Sequence, residues 1–255
     1  MKKWRSFLNR PYGKIITTLC GIGFIFLLWI IISLSCNISL LPGPGEVFKR
    51  FGELFITSKL YEALGGSLLR LLISMGICLA SSLILGLIGG LSSIFYRFFN
   101  PLVIVLRTLP TAAFIYILIV LLKPQYSLFI ITSLVIFPIM YEAVASGIRN
   151  IDSGIMDSLR LEARITHPRC LVNIIFPCAR ENIILGVIQS LGLGMKVSIM
   201  SEVLVGTDTV KGLGRMIYHA YIDLEMSTVF AVSIYAIILI GTLDIVLHFL
   251  KKRFK

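Results

Sequence analysis

Residues 149–182 read RNIDSGIMDSLRLEARITHPRCLVNIIFPCAREN, a charged, proline-containing stretch inside an otherwise apolar chain. The runs on either side, roughly 126–148 and 181–206, are each long enough to cross a hydrocarbon core of about 30 Å as a helix. A charged loop between two such runs lies in water on one side of a membrane. That placement fixes the frame for the rest of the chain.

Composition agrees with it. Of 255 residues, 57% are hydrophobic and only 15% charged, against about 25% charged in a typical soluble domain. Mean hydropathy is +0.93, so the surplus apolar surface faces lipid. Six spans are expected, at about 15–35, 67–91, 101–122, 126–148, 181–206 and 227–249. Glycine and proline within them are tolerated because neighbouring helices satisfy the freed backbone groups. The second span is rich in small residues, including Ser74, Gly76, Gly86, Gly89 and Gly90. It is therefore expected at the centre of the bundle, where small residues permit close approach in lipid.

The net charge of +11 does not point to nucleic acid, because the basic residues sit beside and between the apolar runs. With the N-terminus inside, fifteen Lys and Arg lie on the inner segments and six on the outer ones. By the positive-inside bias, both termini and the 150–180 loop are cytoplasmic. The first span follows a basic start but is too long for a signal-peptide core, and is expected to be retained. Cys170 and Cys178 lie in the reducing cytoplasmic loop, and Cys36 has no outer partner, so disulfides are not expected. The spacing of His167, Cys170 and Cys178 is not a zinc pattern.

After the first span, Leu41-Pro42-Gly43-Pro44-Gly45 breaks the chain. Over 46–56, Val47, Phe48, Phe51, Leu54 and Phe55 fall on one side of a helical wheel, opposite Glu46, Lys49, Arg50 and Glu53. That pattern predicts an amphipathic helix on the outer surface.

Arg107, Glu142, Lys196, Glu202 and Asp244 fall inside or at the edges of spans. Each costs about 2.5–3.5 kcal/mol at a helix centre, so they are expected to avoid lipid. Arg107, Met195, Lys196 and Ser198 are the candidates for a translocation path, with the two basic groups suited to an anion. The other reading pairs Arg107 with Glu142 or Asp244, and puts the acids near headgroups. Within the loop, a short helix is expected from Gly154 to Arg164. Ile155, Met156, Leu159 and Ala163 share one face, opposite Asp157, Arg160 and Arg164, and Leu161 is left on the polar side for a partner.

Several motifs follow one another in order. They are Leu41-Pro42-Gly43-Pro44-Gly45-Glu46-Val47, Gly66-Ser67-Leu68-Leu69-Arg70, Asn100-Pro101-Leu102 and Leu106-Arg107-Thr108-Leu109-Pro110. Phe137-Pro138-Ile139, Leu191-Gly192-Leu193-Gly194-Met195-Lys196-Val197 and Ser201-Glu202-Val203-Leu204 continue the series. Over nearly its whole length the chain resembles the permease subunits of bacterial binding-protein-dependent ABC importers, of the nitrate/sulfonate/taurine group. The resemblance implies an all-α, type I ABC importer permease fold with about six transmembrane helices, forming one domain over 1–255. It also implies a homodimer in the plasma membrane, a cytoplasmic ABC ATPase dimer that binds the ATP, and an extracytoplasmic substrate-binding protein.

The family's coupling motif ends at Phe176-Pro177. Aligned from there without gaps, its Glu falls on Ser158 and its Gly on Arg164. One inserted residue moves them to Asp157 and Ala163, and Glu162-Ala163 is out of register in both. Asp157, Ser158, Leu161, Glu162, Ala163 and Arg164 are thus the expected ATPase contacts. The chain has no Gly-x-x-x-x-Gly-Lys-Ser/Thr loop, so it is not expected to be an ATPase itself or to hold a cofactor. The implied substrate is a small anion such as a sulfonate, nitrate or bicarbonate, or a thiamine-precursor-like solute. A secondary transporter or channel working without ATPase subunits is the alternative.

Overall fold

The computed structural model describes residues 11–35, 41–162, 167–206 and 210–253. Their regular structure is helical throughout: α1 (Pro11–Ser35), α2 (Pro44–Phe55), α3 (Ser58–Leu91), α4 (Ser93–Thr108), α5 (Thr111–Leu121) and α6 (Pro124–Arg149). They continue as α7 (Ser153–Glu162), α8 (Pro168–Val205), α9 (Leu213–Ile222) and α10 (Met226–Arg253). Five of these, α1, α3, α6, α8 and α10, are long and apolar enough to cross a membrane. The pair α4–α5 makes a sixth span if counted together.

That pair corrects the expectation of one straight helix over 101–122. The span begins at Ser93 and bends by 98° between α4 and α5. Leu109 precedes a proline and is driven out of the helical region, to φ −59°, ψ 133°. Pro110 offers no N–H to continue the ladder. The last ladder bond of α4 is Leu109 N–H to the Val105 carbonyl at 3.0 Å, and Thr108 Oγ1 donates to the carbonyls of Ile104 and Val105, at 3.0 and 3.2 Å.

Two other starts move. α3 begins at Ser58 rather than 67, and its added turns bury Leu60 and Ala63. α8 begins at Pro168 rather than 181, through a π-helical turn over Leu171–Ile175 in which the Phe176 N–H donates to the Leu171 carbonyl. Pro177, next along, supplies no N–H of its own. A widened turn is a common way for a helix to absorb such a gap.

The core lies among α3, α6 and α8, with α9 and α10 closing one side. Leu71, Met75, Ile136, Met140, Met195, Leu213 and Val232 meet there, all buried. Close approach is set by glycine. A Cβ at Gly86 would lie 2.7 Å from the Val144 Cβ, and one at Gly90 would lie 2.7 Å from the Ile148 Cβ. The small residues of α3 therefore seat α6 directly, and α3 is central.

α2 buries Val47 and Leu54, and Phe51 stacks on Tyr235 of α10 at 4.1 Å between ring centres. Its polar side ties to the α9–α10 turn: Arg50 reaches Glu53 and Glu225 at 3.0 Å each and Thr228 at 2.8 Å. The hydrogen bond to Glu53, helped by the charge of Glu225, holds the Arg50 guanidinium pKa above its ordinary value despite partial desolvation. These elements share the end that the charge count assigns to the outer side. The α3–α4 corner, the end of α6 and helix α7 share the other.

α8 stops at Gly206, which adopts the left-handed conformation, φ 55°, the usual chain-reversing cap. A Cβ there would also lie 2.5 Å from the Tyr218 ring. Gly206→Ala is expected to destabilise the chain by about 1–2 kcal/mol from the backbone alone, with displacement of Tyr218 added. Thermal unfolding in detergent should show the drop, and an unchanged midpoint would contradict it.

Candidate functional site

Helix α7 hangs between the membrane helices α6 and α8. Asp152 opens it, its Oδ1 accepting from the Gly154 N–H at 2.8 Å, a local turn that favours helix initiation. Leu159, partly buried, packs against the cluster that Val144 and Ile148 of α6 form with Cys170, Ile175 and Ala179 of α8. Leu161 is 87% exposed, and Asp157 and Ser158 are exposed beside it. The helix is described as far as Glu162; the Glu162 side chain, Ala163 and Arg164 lie outside the described residues. Met156 and Asp157 line a cavity of about 240 Å³ with Gly90, Ser93, Arg149 and Ser153.

The polar groups inside the membrane divide into two sets. The first is a closed cluster. Glu202, placed by the sequence reading near headgroups as one option, has a side chain with no exposure, and it is ion-paired with Arg70, itself 8% exposed. Ser67 Oγ donates to the Glu202 carboxylate at 2.9 Å, and the Gly214 N–H donates to it at 2.9 Å. The Leu213 N–H reaches Ser67 Oγ at 2.9 Å, and Arg70 reaches the Lys211 carbonyl at 3.0 Å.

The carboxylate sits at the N-terminus of α9, where unpaired N–H groups favour an anion. Sequence reasoning missed Arg70 as its partner and missed α9 altogether. The available signal was Arg70 itself, a charge just inside the second expected span.

The second set is open. Arg107, at the end of α4, lines a cavity of about 310 Å³ with Glu142 and Ser146 of α6 and Asn182 and Gln189 of α8. Glu142 accepts from the Tyr96 hydroxyl at 3.2 Å, and the Arg149 guanidinium lies 4.3 Å from the centre of the Tyr96 ring. Arg107 shares this cavity with Glu142, and Asp244 lies apart, against Gly192 on α8. Lys196 is exposed on a stripe of α8 with Gln189, Leu193 and Met200. Met195 and Ser198 face the other way. Met195 is in the core, and Ser198 Oγ lies 3.5 Å from Glu202. The four candidate path residues are therefore not on one surface of a single chain: Arg107 and Lys196 are exposed, while Met195 and Ser198 are enclosed.

Among the described residues, no group of three or more His, Cys, Asp or Glu could hold a metal ion.

The chain is similar to a protomer in a structure of the MetNI methionine ABC transporter, with a TM-score of 0.66 at 16% identity over 77% of this chain and 96% of that one. The fold is that of a type I ABC importer permease, a helical membrane subunit. The chain belongs to the family of binding-protein-dependent transport system inner membrane components, whose profile matches residues 82–255.

Curated relatives include a nitrate import permease of Synechocystis, 26% identical over 96% of this chain and 90% of its own length. A bicarbonate transport system permease of Synechococcus elongatus is 26% identical over 97% and 89%. A provisionally named aliphatic sulfonates transport permease of Bacillus subtilis is 27% identical over 78% and 72%.

Proposed function

We propose that the whole chain, 1–255, acts as one permease unit that forms a translocation path and is driven by ATP hydrolysed on a partner. Helix α7 is the docking element. Leu161 is the observation that carries this reading: a large apolar side chain, 87% exposed, on a helix whose opposite face is anchored between two membrane helices. An exposed leucine on a charged helix suits a partner's groove, and the anchor through Leu159 supplies the lever.

Two copies would pair in the bacterial plasma membrane with both termini inside. An ABC ATPase dimer would engage Asp157, Ser158, Leu161 and the 162–164 segment, and a binding protein would deliver solute from outside. Alternation between two global states with different loop contacts would then move it.

Arg107 and Lys196 would line the path, with Met195 and Ser198 shaping it from behind. An exposed intramembrane cation is costly against lipid, and facing water or a second copy removes that cost. The substrate is a small anion of the sulfonate, nitrate or bicarbonate kind, or a thiamine-precursor-like solute; the relatives' substrates and the two basic residues support the anion.

The test is co-purification of the tagged chain in mild detergent, together with transport by Leu161→Asp in cells. The wild type should bring down a stoichiometric ATPase. The variant should insert normally but lose the ATPase and at least about tenfold of transport, as expected for a charge placed at an interface anchor. A homo-oligomer without ATPase in several detergents would replace this reading with a secondary transporter or channel, and full transport by the variant would show that the docking assignment is wrong.

A further inference from the structure

Helix α8 changes character near its cytoplasmic end. From Ala179 onward it is clamped to α6: a Cβ at Gly147 would lie 3.3 Å from the Ala179 Cβ and 3.1 Å from the Asn182 Cβ. One turn further along, a Cβ at Gly186 would collide with the Ala143 Cβ. Before Ala179 the ladder is broken. The Phe176 N–H donates to the Leu171 carbonyl, five residues back, and Pro177 has no N–H to donate. Ordinary spacing returns at Leu171, whose N–H reaches the His167 carbonyl at 3.1 Å. The defect is thus confined to 171–177, between the clamped helix and a short helical start, Pro168–Cys170.

Proline alone does not demand the widened turn. Helices α4 and α6 carry internal prolines, Pro101 and Pro138, and stay in α geometry around both. The defect also lies ahead of the apolar run at 181–206, where water can bond the carbonyls that the ladder leaves open. In hydrocarbon the same open groups would be costly. Only one side of the turn is packed: Val172 is 63% exposed, with Asn173, Pro177 and Cys178 exposed beside it, while Ile175 and Ala179 are buried. Cys170, just ahead of the turn, is buried in the cluster that receives Leu159 of α7. At its other end α7 is joined to α6 by residues 150–152, outside any helix.

We propose that the turn at 171–177 is a hinge, about which helix α7 and the Pro168–Cys170 start of α8 swing while α8 from Ala179 stays clamped to α6. A π turn in mid-helix is a frequent marker of such a point. The proposal rests on the docking reading of α7 and adds where its motion is taken up. Opening of the hinge withdraws Cys170 from its cluster and leaves the bundle intact.

The chain's own cysteines read the hinge. The full chain in nanodiscs would be treated with N-ethylmaleimide and labelling followed by peptide mass spectrometry, with exposed Cys178 as the internal standard. Asn173→Gly, on the exposed side of the turn, should raise Cys170 labelling relative to Cys178 by about fivefold, the size of one glycine penalty in a helix. Deletion of Val172 combined with Pro177→Ala removes the extra residue and supplies the missing N–H, so the segment becomes an ordinary α-helix. Cys170 labelling should then fall at least about tenfold, as local opening gives way to opening of the whole bundle. The thermal unfolding midpoint of this variant should equal or exceed that of the wild type. In cells it should insert normally and lose at least about tenfold of transport, as for other immobilised hinges.

A turn that merely seats an extra residue predicts a stable deletion variant with full transport, and that result would overturn the proposal. Equal Cys170 labelling in the wild type, Asn173→Gly and the deletion variant would overturn it too. If the deletion variant does not fold, Asn173→Gly decides: unchanged Cys170 labelling rejects the hinge. Labelling is read on this chain alone, so a missing ATPase would defeat the docking reading without touching this result.

Discussion

Glu202→Ala is expected to destabilise the chain severely, because it strands several buried polar groups of one closed cluster at once. The Arg70 guanidinium would lose its ion-pair partner at 8% exposure. Ser67 would lose its acceptor, and the Gly214 N–H would be left open at the start of α9. Removing one member of a buried ion pair costs about 3–5 kcal/mol, since the remaining charge is left uncompensated.

Glu202→Gln retains an acceptor for Ser67 and Gly214 and should fall between wild type and alanine. The pair Arg70→Met with Glu202→Leu should recover most of the loss, because replacing both charges with apolar groups removes the desolvation penalty along with the attraction. Thermal unfolding of the purified chain in detergent would read all three. A Glu202→Ala midpoint equal to wild type, or a double variant worse than the single one, would show that the pair does not hold this region together.

Gly214→Ala should also destabilise the chain strongly, and for a steric reason. A Cβ at Gly214 would run into the Ile199 carbonyl oxygen and lie 2.5 Å from the Glu202 Cβ and 2.9 Å from the Val203 nitrogen. Two of those three obstacles are backbone of α8, which cannot rotate away as a side chain can. Helix α9 would have to withdraw, pulling the Leu213 and Gly214 N–H groups from Ser67 and Glu202, each now at 2.9 Å.

Overpacking of this kind costs about 1–3 kcal/mol, and each lost hydrogen bond adds about 1 kcal/mol. Amide hydrogen exchange over 210–222 should rise sharply while exchange in the core of α3 and α6 does not. Gly52→Ala provides the opposite sign: nothing lies within 4 Å of a Cβ there, so it should stabilise α2 by about 0.5–1 kcal/mol. If Gly214→Ala behaves like Gly52→Ala, the close docking of α9 is wrong.

The two cases mark where sequence reasoning stops. Gly52 and Gly214 look alike in a linear chain, and only their neighbours separate a neutral glycine from an obligatory one. The same holds for Arg70, which reads as a charge near a span edge until Glu202, 132 positions away, is brought against it. Helix α9, LGRMIYHAYI, is too short and too polar to register as a span. It is helical because α3, α8 and α10 enclose it and because Glu202 and Ser67 satisfy its first N–H groups. At Pro110 the breaking residue was visible, and the 98° bend was not, since proline removes the helical continuation without choosing the new direction.

By itself the sequence determined that this is a helical membrane protein, which stretches are apolar enough to span, that an amphipathic helix follows the first of them, and that a short helix sits in the long charged loop. Those properties are local: lipid demands a minimum apolar length from each segment separately, and an amphipathic face is written in the spacing of neighbouring residues. Only the tertiary structure decided which intramembrane charges neutralise each other and which stay open to a cavity. A charge in lipid must find a partner somewhere, but the identity of that partner depends on which helices pack together, and that is set by glycine contacts and side-chain fit across more than a hundred residues of chain.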